Sequence, residues 1–408
     1  MTPDQILTVA DGLASPTAAH LPTGQPVWRQ SLAHGVPGIA LLHTELAAAG
    51  IRPWNRVRNW LAYAVSAPLT SGTSSGLFYG APAVAYALAG TAAVRPGAYR
   101  SALAALEPLI AADAQRRAAH ANHRIDTGQP PVLAEFDTLR GLAGIGAYLL
   151  RRDPGGEPLR DVLGYFVRLC RPLTDSGQLL PGWWTQTGPS GRPDDEEFPG
   201  GHANLGVAHG IAGQLALAGL AATRGITVPG QVEAISALCE WLDSWRLDTH
   251  AGPRWPYMIT RAELAERPAE VANSGATRRP SWCYGTAGLA RAQQIAAVAT
   301  GDTGRRRQAE AALVSALADP GQRAATTDAS LCHGHAGLAR IAADAAADAD
   351  PAQARQLRDL ARELLGAADP EPGTGPGLLE GTAGTALAAL ASTDEPPPTG
   401  WDACLLIT

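Results

Sequence analysis

The chain has 408 residues, of which 46% are hydrophobic and 17% are charged, which excludes a disordered protein and provides enough apolar material for a large core. Its net charge is −6 and all 32 basic residues are arginine, which argues against a nucleic-acid surface and excludes lysine chemistry. Five scattered cysteines do not resemble a disulfide framework, and neither a signal sequence nor a run of about 18 apolar residues occurs, so we expect a cytoplasmic protein without a membrane segment.

One motif recurs along the whole chain: a polar residue, Gly, two further residues and a second Gly, followed by an apolar helix. The helices behind the motif carry Ala on nearly every face, which is typical of helices that are buried all round. Only the second copy lacks its last Gly. The copies begin at His34, Tyr79, Arg140, His209, Tyr284, His333 and Glu380.

More polar, amphipathic helical stretches separate these buried helices. The alternation predicts an all-α fold, an α/α toroid of about seven inner and seven outer helices, in a single domain over residues 1–408. The Gly turns are expected to gather at one end, where helix N-termini present unpaired N–H groups to a shared cavity. Two irregular stretches, residues 172–201 and 247–281, are expected to border this end or simply to connect helices.

A pair of cysteines and one histidine indicate a metal site at the same end. Cys283 and Cys332 lie two positions before the first Gly of the fifth and sixth copies, and His333 follows Cys332 directly. Because equivalent positions of adjacent repeats are neighbours in a toroid, these three side chains are expected to meet. A Cys₂His set is typical of a zinc site with an open fourth position, which favours catalysis. We interpret Cys170, Cys239 and Cys404 as structural.

The chain resembles the lanthionine synthetase C-like family over its whole length, as a stand-alone cyclase. The resemblance is carried by several motifs, which are WCYG at Trp282–Gly285, CHG at Cys332–Gly334, NLGVAHG at Asn204–Gly210, GLAG from Gly141 preceded by Asp137, and WDACLL at Trp401–Leu406. The toroid is also the fold that the resemblance implies. It further implies zinc as the cofactor, with Cys283, Cys332 and His333 as ligands.

The resemblance also implies the reaction and its catalytic residues. The family adds peptide cysteine thiols to dehydroalanine or dehydrobutyrine, closing lanthionine or methyllanthionine thioether rings. The catalytic residues implied here are His209, Asp137, Arg279 and Tyr284, with Arg278 able to take the place of Arg279. His209 is expected to protonate the α-carbon, and Arg279 or Tyr284 is expected to donate to the enolate.

Alternative interpretations remain for single residues and for the whole protein. Asp137 either keeps His209 charged or caps the inner helix, and His209 is otherwise a satisfied core histidine. Glu380 is expected at the rim of the cavity. A zinc-dependent transferase that adds glutathione to dehydrated residues, and a non-catalytic peptide-binding toroid with a closed zinc site, are the alternative functions.

The expected partners follow from the favoured function. The substrate is a dehydrated precursor peptide with a leader. Because no dehydratase-like region precedes the repeats, the resemblance implies a separate lanthipeptide dehydratase, and a membrane-associated transporter complex is a further possible partner. No nucleic acid is expected.

Overall fold

The computed structural model describes residues 1–18, 26–189, 191–192, 196–266 and 279–408. These residues form two compact units, which we describe separately. The first unit comprises residues 1–111 and 326–405, and the second comprises residues 112–325 and 406–408. The expectation of a single repeat-built domain stays a prediction.

The described residues are mostly helical, in agreement with the predicted fold class. The helices, in chain order, are α1 Pro3–Gly12, α2 Val36–Ala48, α3 Trp54–Ala64, α4 Ala81–Val94, α5 Arg100–Asp126, α6 Leu133–Phe136, α7 Leu142–Arg152, α8 Glu157–Leu169, α9 Ile211–Thr223, α10 Gln231–Asp243, α11 Arg261–Glu266, α12 Thr286–Thr300, α13 Thr303–Ala318, α14 Pro320–Ala324, α15 His335–Asp348, α16 Pro351–Ala367 and α17 Thr382–Leu390. No described helix is long and apolar enough to cross a membrane.

Each of the seven Gly motifs is followed by a buried helix, as predicted: α2, α4, α7, α9, α12, α15 and α17. Helix α9 shows why, because Ala, Gly, Leu and Ile cover all its faces and its residues from Ile211 to Ala221 are all buried. By contrast, α8 and α16 bury one face only, as amphipathic outer helices do.

In the first unit, the buried helices pack in the row α15, α17, α2, α4. Helix α16 packs against α15, and α3 packs against α2. The N-terminal helix α1 packs against α17. The first helix of the chain therefore serves as the outer partner of the last buried one, which the sequence alone did not indicate.

In the second unit, α7, α9 and α12 pack in a row. Helix α8 covers α7, α13 covers α12, and α10 contacts both α9 and α12. The alternation of buried and amphipathic helices seen in the sequence is thus an alternation of inner and outer helices in this unit as well.

The described residues contain six three-residue strands: β1 Leu173–Asp175, β2 Gln178–Leu180, β3 His202–Asn204, β4 Leu247–Thr249, β5 Gly252–Arg254 and β6 Met258–Thr260. Five of them lie in the stretches that were predicted to be irregular, and β3 begins directly after the first of these stretches. Their antiparallel pairs are β1 with β2, β3 with β6, and β4 with β5. The turn between β1 and β2 has φ of 51° at Ser176 and 79° at Gly177, the positive values that a type I′ hairpin requires. Strand β3 ends just before the fourth Gly turn, so its pairing with β6 positions the chain that enters that turn.

The second Gly of the motif packs against the turn that precedes its helix. A Cβ atom at Gly337 would lie 1.9 Å from the carbonyl oxygen of Leu331, and one at Gly288 would lie 2.2 Å from that of Trp282. In both turns the carbonyl belongs to the residue six positions earlier. Any side chain there would force the turn away from its helix, which explains why the second Gly recurs with the first.

Residues Trp401–Leu405 of the C-terminal motif WDACLL are anchored in the first unit. Trp401–Leu405 forms a 3₁₀ helix, and Arg340 on α15 pairs with Asp402 at 3.0 Å with both side chains 2% exposed. The hydroxyl group of Tyr86 on α4 donates to the carbonyl oxygen of Gly400. Since breaking a buried ion pair leaves an uncompensated charge, the motif is important for folding.

His43 on α2 is fully buried and sensitive to protonation. Its Nε2 lies 2.6 Å from the carbonyl oxygen of Leu13, and Nδ1 has no hydrogen-bond partner among the described residues. Burial lowers the pKa of His43 from 6.5 to about 4. The unfolded chain therefore binds a proton more readily than the folded chain does between these two values.

We expect the free energy of unfolding to fall as the pH decreases from about 6.5 to about 4, with on the order of 3 kcal/mol lost through His43. The substitution His43→Gln retains an N–H donor for Leu13 and removes the titration. Urea unfolding at about pH 7 and about pH 4.5 should therefore show a smaller difference for this variant than for the wild type. Equal pH dependence in the two proteins would contradict the prediction.

Candidate active site and metal-binding residues

Backbone hydrogen bonds join successive Gly turns within each unit. In the first unit, the amide of Cys332 donates to Leu379 and the amide of Leu379 donates to Ala33, both at 2.9 Å. These residues hold the same position, two before the first Gly, in the sixth, seventh and first copies. Equivalent positions of neighbouring repeats are thus in direct contact, as predicted.

The second unit repeats this arrangement. The amide of Thr138 donates to Ala208 at 3.0 Å, and the amide of Ala208 lies 3.4 Å from the carbonyl oxygen of Cys283. The amide of Val207 donates to the same Cys283 oxygen at 3.0 Å. The third, fourth and fifth turns are therefore held side by side through their backbones.

Asp137 and His209 form a close pair across the third and fourth turns. His209 Nδ1 lies 2.7 Å from Oδ2 of Asp137, and the Asp137 side chain is 2% exposed whereas that of His209 is 32% exposed. A buried carboxylate in contact with Nδ1 fixes the orientation of the imidazole ring. Since Nδ1 is engaged, Nε2 is the ring nitrogen left for a reacting molecule.

Asp137 also holds its own turn. Its Oδ1 accepts hydrogen bonds from the amides of Arg140 at 2.7 Å and Gly141 at 2.8 Å, just before α7. One oxygen of Asp137 thus closes the turn before α7 and the other contacts His209. The N-cap of α7 is Gly141, without a side-chain capping bond, so Asp137 supports the turn and does not cap the helix.

Tyr284 lies beside His209 on the fifth turn. The His209 and Tyr284 rings are stacked with their centroids 6.3 Å apart. The ring of Tyr257 also packs against that of Tyr284, with the two centroids 5.8 Å apart. Asn204 is fully buried and its Nδ2 donates to the Tyr284 hydroxyl oxygen at 3.2 Å. This tyrosine is held by a ring and an amide within reach of His209.

Asn204 and Tyr257 contact Tyr284, and the sequence alone did not identify either residue as part of the site. Asn204 belongs to the NLGVAHG motif, but its spacing alone does not reveal the contact with Tyr284. Tyr257 directly precedes β6, and its carbonyl oxygen accepts from the Leu205 amide at 3.0 Å. The pairing of β3 with β6 brings Tyr257 to the site, and no signal in the sequence indicated that pairing.

Arg279 begins the segment that leads into the fifth turn and is partly buried. The hydroxyl group of Tyr257 donates to its carbonyl oxygen at 2.7 Å. The backbone of Arg279 is thereby tied to the same tyrosine that packs on Tyr284. Arg278, the alternative to Arg279, lies outside the described residues.

Cys283 is buried in the fifth turn of the second unit, 6% exposed. Its Sγ lies 3.6 Å from the hydroxyl oxygen of Ser281, and its carbonyl oxygen accepts the bonds from the fourth turn. Gly285, two residues later, has φ of 136° and sits against the Arg279 carbonyl, which fixes the path of this turn. The thiol is therefore held on a rigid backbone.

Cys332 and His333 lie in the sixth turn, in the first unit. Cys332 Sγ and a ring nitrogen of His333 are within 4.8 Å of each other, and both residues are partly exposed. The His333 ring lines a cavity of about 210 Å³ whose walls also carry Asp328 and Glu380. A thiol and an imidazole at this separation are suited to bind one metal ion.

The other three cysteines have no comparable setting. Burial raises the pKa of the Cys239 thiol to about 12 and raises the pKa of the Cys170 thiol further. Cys404 is buried and its Sγ donates to the carbonyl oxygen of Trp401 at 3.2 Å. Protonated, desolvated thiols of this kind are poor ligands and poor nucleophiles.

Comparison with known proteins gives three findings. The family model for lanthionine synthetase C-like proteins matches residues 26–406. The nisin biosynthesis protein NisC of Lactococcus lactis subsp. lactis is 24% identical over 263 residues, which cover 64% of this chain and 60% of NisC. A solved structure of nisin cyclase matches with a TM-score of 0.81 at 20% identity, covering 99% of this chain and 97% of the cyclase.

The likeness to nisin cyclase confirms the predicted fold class, an α/α toroid. The family match spans nearly the whole chain and includes all seven Gly turns. The chain belongs to the lanthionine synthetase C-like family.

Proposed function

We propose that the protein is a lanthipeptide cyclase, a carbon–sulfur bond-forming enzyme that closes thioether rings in a dehydrated precursor peptide. The observation that carries the proposal is the pair of Asp137 and His209 at 2.7 Å, beside Tyr284, in a member of the lanthionine synthetase C-like family. NisC and nisin cyclase, the proteins it is similar to, support the same function by their names. The substrate carries cysteine thiols and dehydroalanine or dehydrobutyrine residues.

Cys283, Cys332 and His333 are the proposed ligands of a zinc ion. Two thiols and an imidazole suit zinc, and this set leaves one tetrahedral position for a substrate. The proximity of Cys332 to His333 and the matched repeat positions of the two cysteines support the assignment. Zinc bound there would favour the thiolate form of a coordinated substrate cysteine, whose pKa is otherwise about 8.5.

The chain's own residues would manage the charge and the proton of the addition. The sulfur lone pair forms a bond to the β-carbon, and the electrons of the carbon–carbon double bond move to the carbonyl oxygen as an enolate. His209, oriented by Asp137 through Nδ1, would then deliver a proton from Nε2 to the α-carbon. The His209 imidazole then takes up a proton from solution, and this proton balances the one that the substrate thiol has lost.

The enolate needs a hydrogen-bond donor while it exists. The Tyr284 hydroxyl and the Arg279 guanidinium are the proposed donors. Tyr284 is the better placed of the two, because it is stacked on the His209 ring and its hydroxyl is already oriented by Asn204. A donor and an acid side by side can serve the adjoining oxygen and α-carbon of one residue.

Partners and location complete the proposal. The precursor is presented with its leader after a separate dehydratase has acted, in the cytoplasm and in association with a membrane-bound transporter complex. The net charge of −6 supports a peptide rather than a nucleic acid as the partner.

Changing His209 to Ala should slow ring closure by about 10²- to 10⁴-fold, the usual contribution of a general acid. Ring closure is measured as the loss of free thiols in a dehydrated precursor peptide. The remaining thiols are alkylated and counted by mass spectrometry. Zinc content should stay at the wild-type level, because His209 is not a proposed ligand. Consumption of added glutathione instead of ring closure would favour the transferase alternative.

The two contacts of Asp137 can be separated with a matched pair of variants. Asp137→Asn retains an oxygen for the amides of Arg140 and Gly141 but presents an amide to His209, so ring closure should slow while the melting temperature changes little. Asp137→Ala should in addition lose about 1 kcal/mol of stability with the turn bonds. Wild-type ring closure in Asp137→Asn would rule out the proposed pair.

Removing a proposed ligand should remove the metal. Cys283→Ala and Cys332→Ala are expected to retain less than about a tenth of the zinc of the wild type after gel filtration, because each variant lacks one of the three proposed protein ligands. Cys239→Ala, which removes a buried thiol elsewhere, is the matched control and should keep its zinc. Stoichiometric zinc in Cys283→Ala would exclude that cysteine as a ligand.

A further inference from the structure

Asn204 and Asp328 hold equivalent positions in two Gly turns. Each lies six residues before the first Gly of its turn, Gly210 and Gly334 respectively. Asn204 Oδ1 accepts from the amide of Gly206 at 3.0 Å, and Asp328 Oδ1 accepts from the amide of Ser330 at 2.8 Å. Each side chain therefore makes the same type of hydrogen bond in its own turn, to the backbone amide two residues later.

The glycines show that the equivalence extends to packing. A Cβ atom at Gly210 would lie 2.5 Å from Oδ1 of Asn204, and one at Gly334 would lie 2.3 Å from Oδ1 of Asp328. One side-chain oxygen at this position satisfies the turn. Since Asn204 supplies that oxygen as a neutral amide, the negative charge of Asp328 is not needed for the fold.

The other polar side-chain atom, Nδ2 of Asn204 and Oδ2 of Asp328, has a different contact in each turn. Asn204 Nδ2 contacts the hydroxyl of Tyr284, whereas Asp328 Oδ2 lies 3.4 Å from Nε2 of His333. A second carboxylate within 4.0 Å of the ring is that of Glu380, whose Oε1 lies 4.0 Å from Nδ1 and whose side chain is 51% exposed against 32% for Asp328. Asp328 is thus the closer and less hydrated of the two charges.

We propose that Asp328 is a positioning residue for His333: it accepts a hydrogen bond from Nε2–H and thereby leaves Nδ1 as the metal donor. The inference rests on the proposed zinc site. A carboxylate on the second nitrogen of a metal-binding imidazole fixes the tautomer and the ring orientation, and it makes the donor nitrogen more basic. The backbone amide of His333 is held in the same turn, because it donates to Ser330 Oγ at 3.2 Å.

The decisive variant is Asp328→Asn, which is what the fourth turn already carries at Asn204. It should keep the turn and the melting temperature of the metal-free protein, and it should weaken zinc binding by about 10- to 100-fold. Zinc affinity is measured by competition with a chromophoric chelator. Glu380→Gln is the matched control and should bind zinc within about threefold of the wild type.

A second readout separates a positioning role from a structural one. In the cobalt-substituted Asp328→Asn protein, the thiolate-to-cobalt charge-transfer band should persist, because the ligands are unchanged and only their affinity falls. Loss of the band together with a lower melting temperature of the metal-free protein would show that Asp328 serves the fold, and would overturn the inference. So would a zinc affinity of Asp328→Asn equal to that of the wild type, or an equal loss in Glu380→Gln.

The proposed function and this inference fail in different ways. If the wild type binds zinc at one equivalent and Cys332→Ala does not, the zinc site stands and the Asp328 result judges the inference alone. If wild type and Cys332→Ala bind zinc equally, the site itself is wrong and the inference falls with it.

Discussion

The structure depends on backbone hydrogen bonds that hold successive Gly turns together. The bonds from Cys332 to Leu379 and from Leu379 to Ala33 place identical repeat positions in contact. Gly at the second motif position lets each inner helix start against the carbonyl of its own turn. Because the backbone sets this register, the residue at a given repeat position lies next to the residue at the equivalent position of the next repeat. The residue types at these positions therefore determine the chemistry of the site.

The functional side chains are held by short acidic or amide residues that each do two things. One oxygen of Asp137 closes the third turn while the other contacts His209, and Asn204 closes the fourth turn while its amide contacts Tyr284. A rigid turn thus orients a proposed catalytic group without an additional supporting layer. It also means that removing such a residue damages the turn and the site together, and isosteric substitutions are needed to tell the two apart.

The sequence alone predicted the buried and amphipathic helices and the toroid, because small apolar residues repeated behind Gly turns have few other ways to pack. The family was predicted from the resemblance of its motifs, such as WCYG and CHG. The positions of Asp137 and His209 were predicted as residues of one cavity, and the structure brings them to 2.7 Å. What could not be predicted depends on contacts between segments distant in sequence. The pairing of β3 with β6, which carries Tyr257 to Tyr284, and the packing of α1 on α17 leave no periodic signal, since three-residue strands and a single terminal helix are too short to show one.

Two carboxylate–histidine pairs in this protein differ in a way that matches their proposed tasks. Asp137 is 2% exposed at 2.7 Å from His209, whereas Asp328 is 32% exposed at 3.4 Å from His333. The buried carboxylate in direct contact with Nδ1 fixes the His209 ring with Nε2 turned to the reacting molecule, which suits the proposed proton delivery. For His333, the more hydrated and more distant carboxylate of Asp328 would orient the ring and leave Nδ1 for the proposed metal ion. The same pair of residue types, placed on two Gly turns at different depth, therefore fits the acid catalysis proposed for His209 and the metal binding proposed for His333.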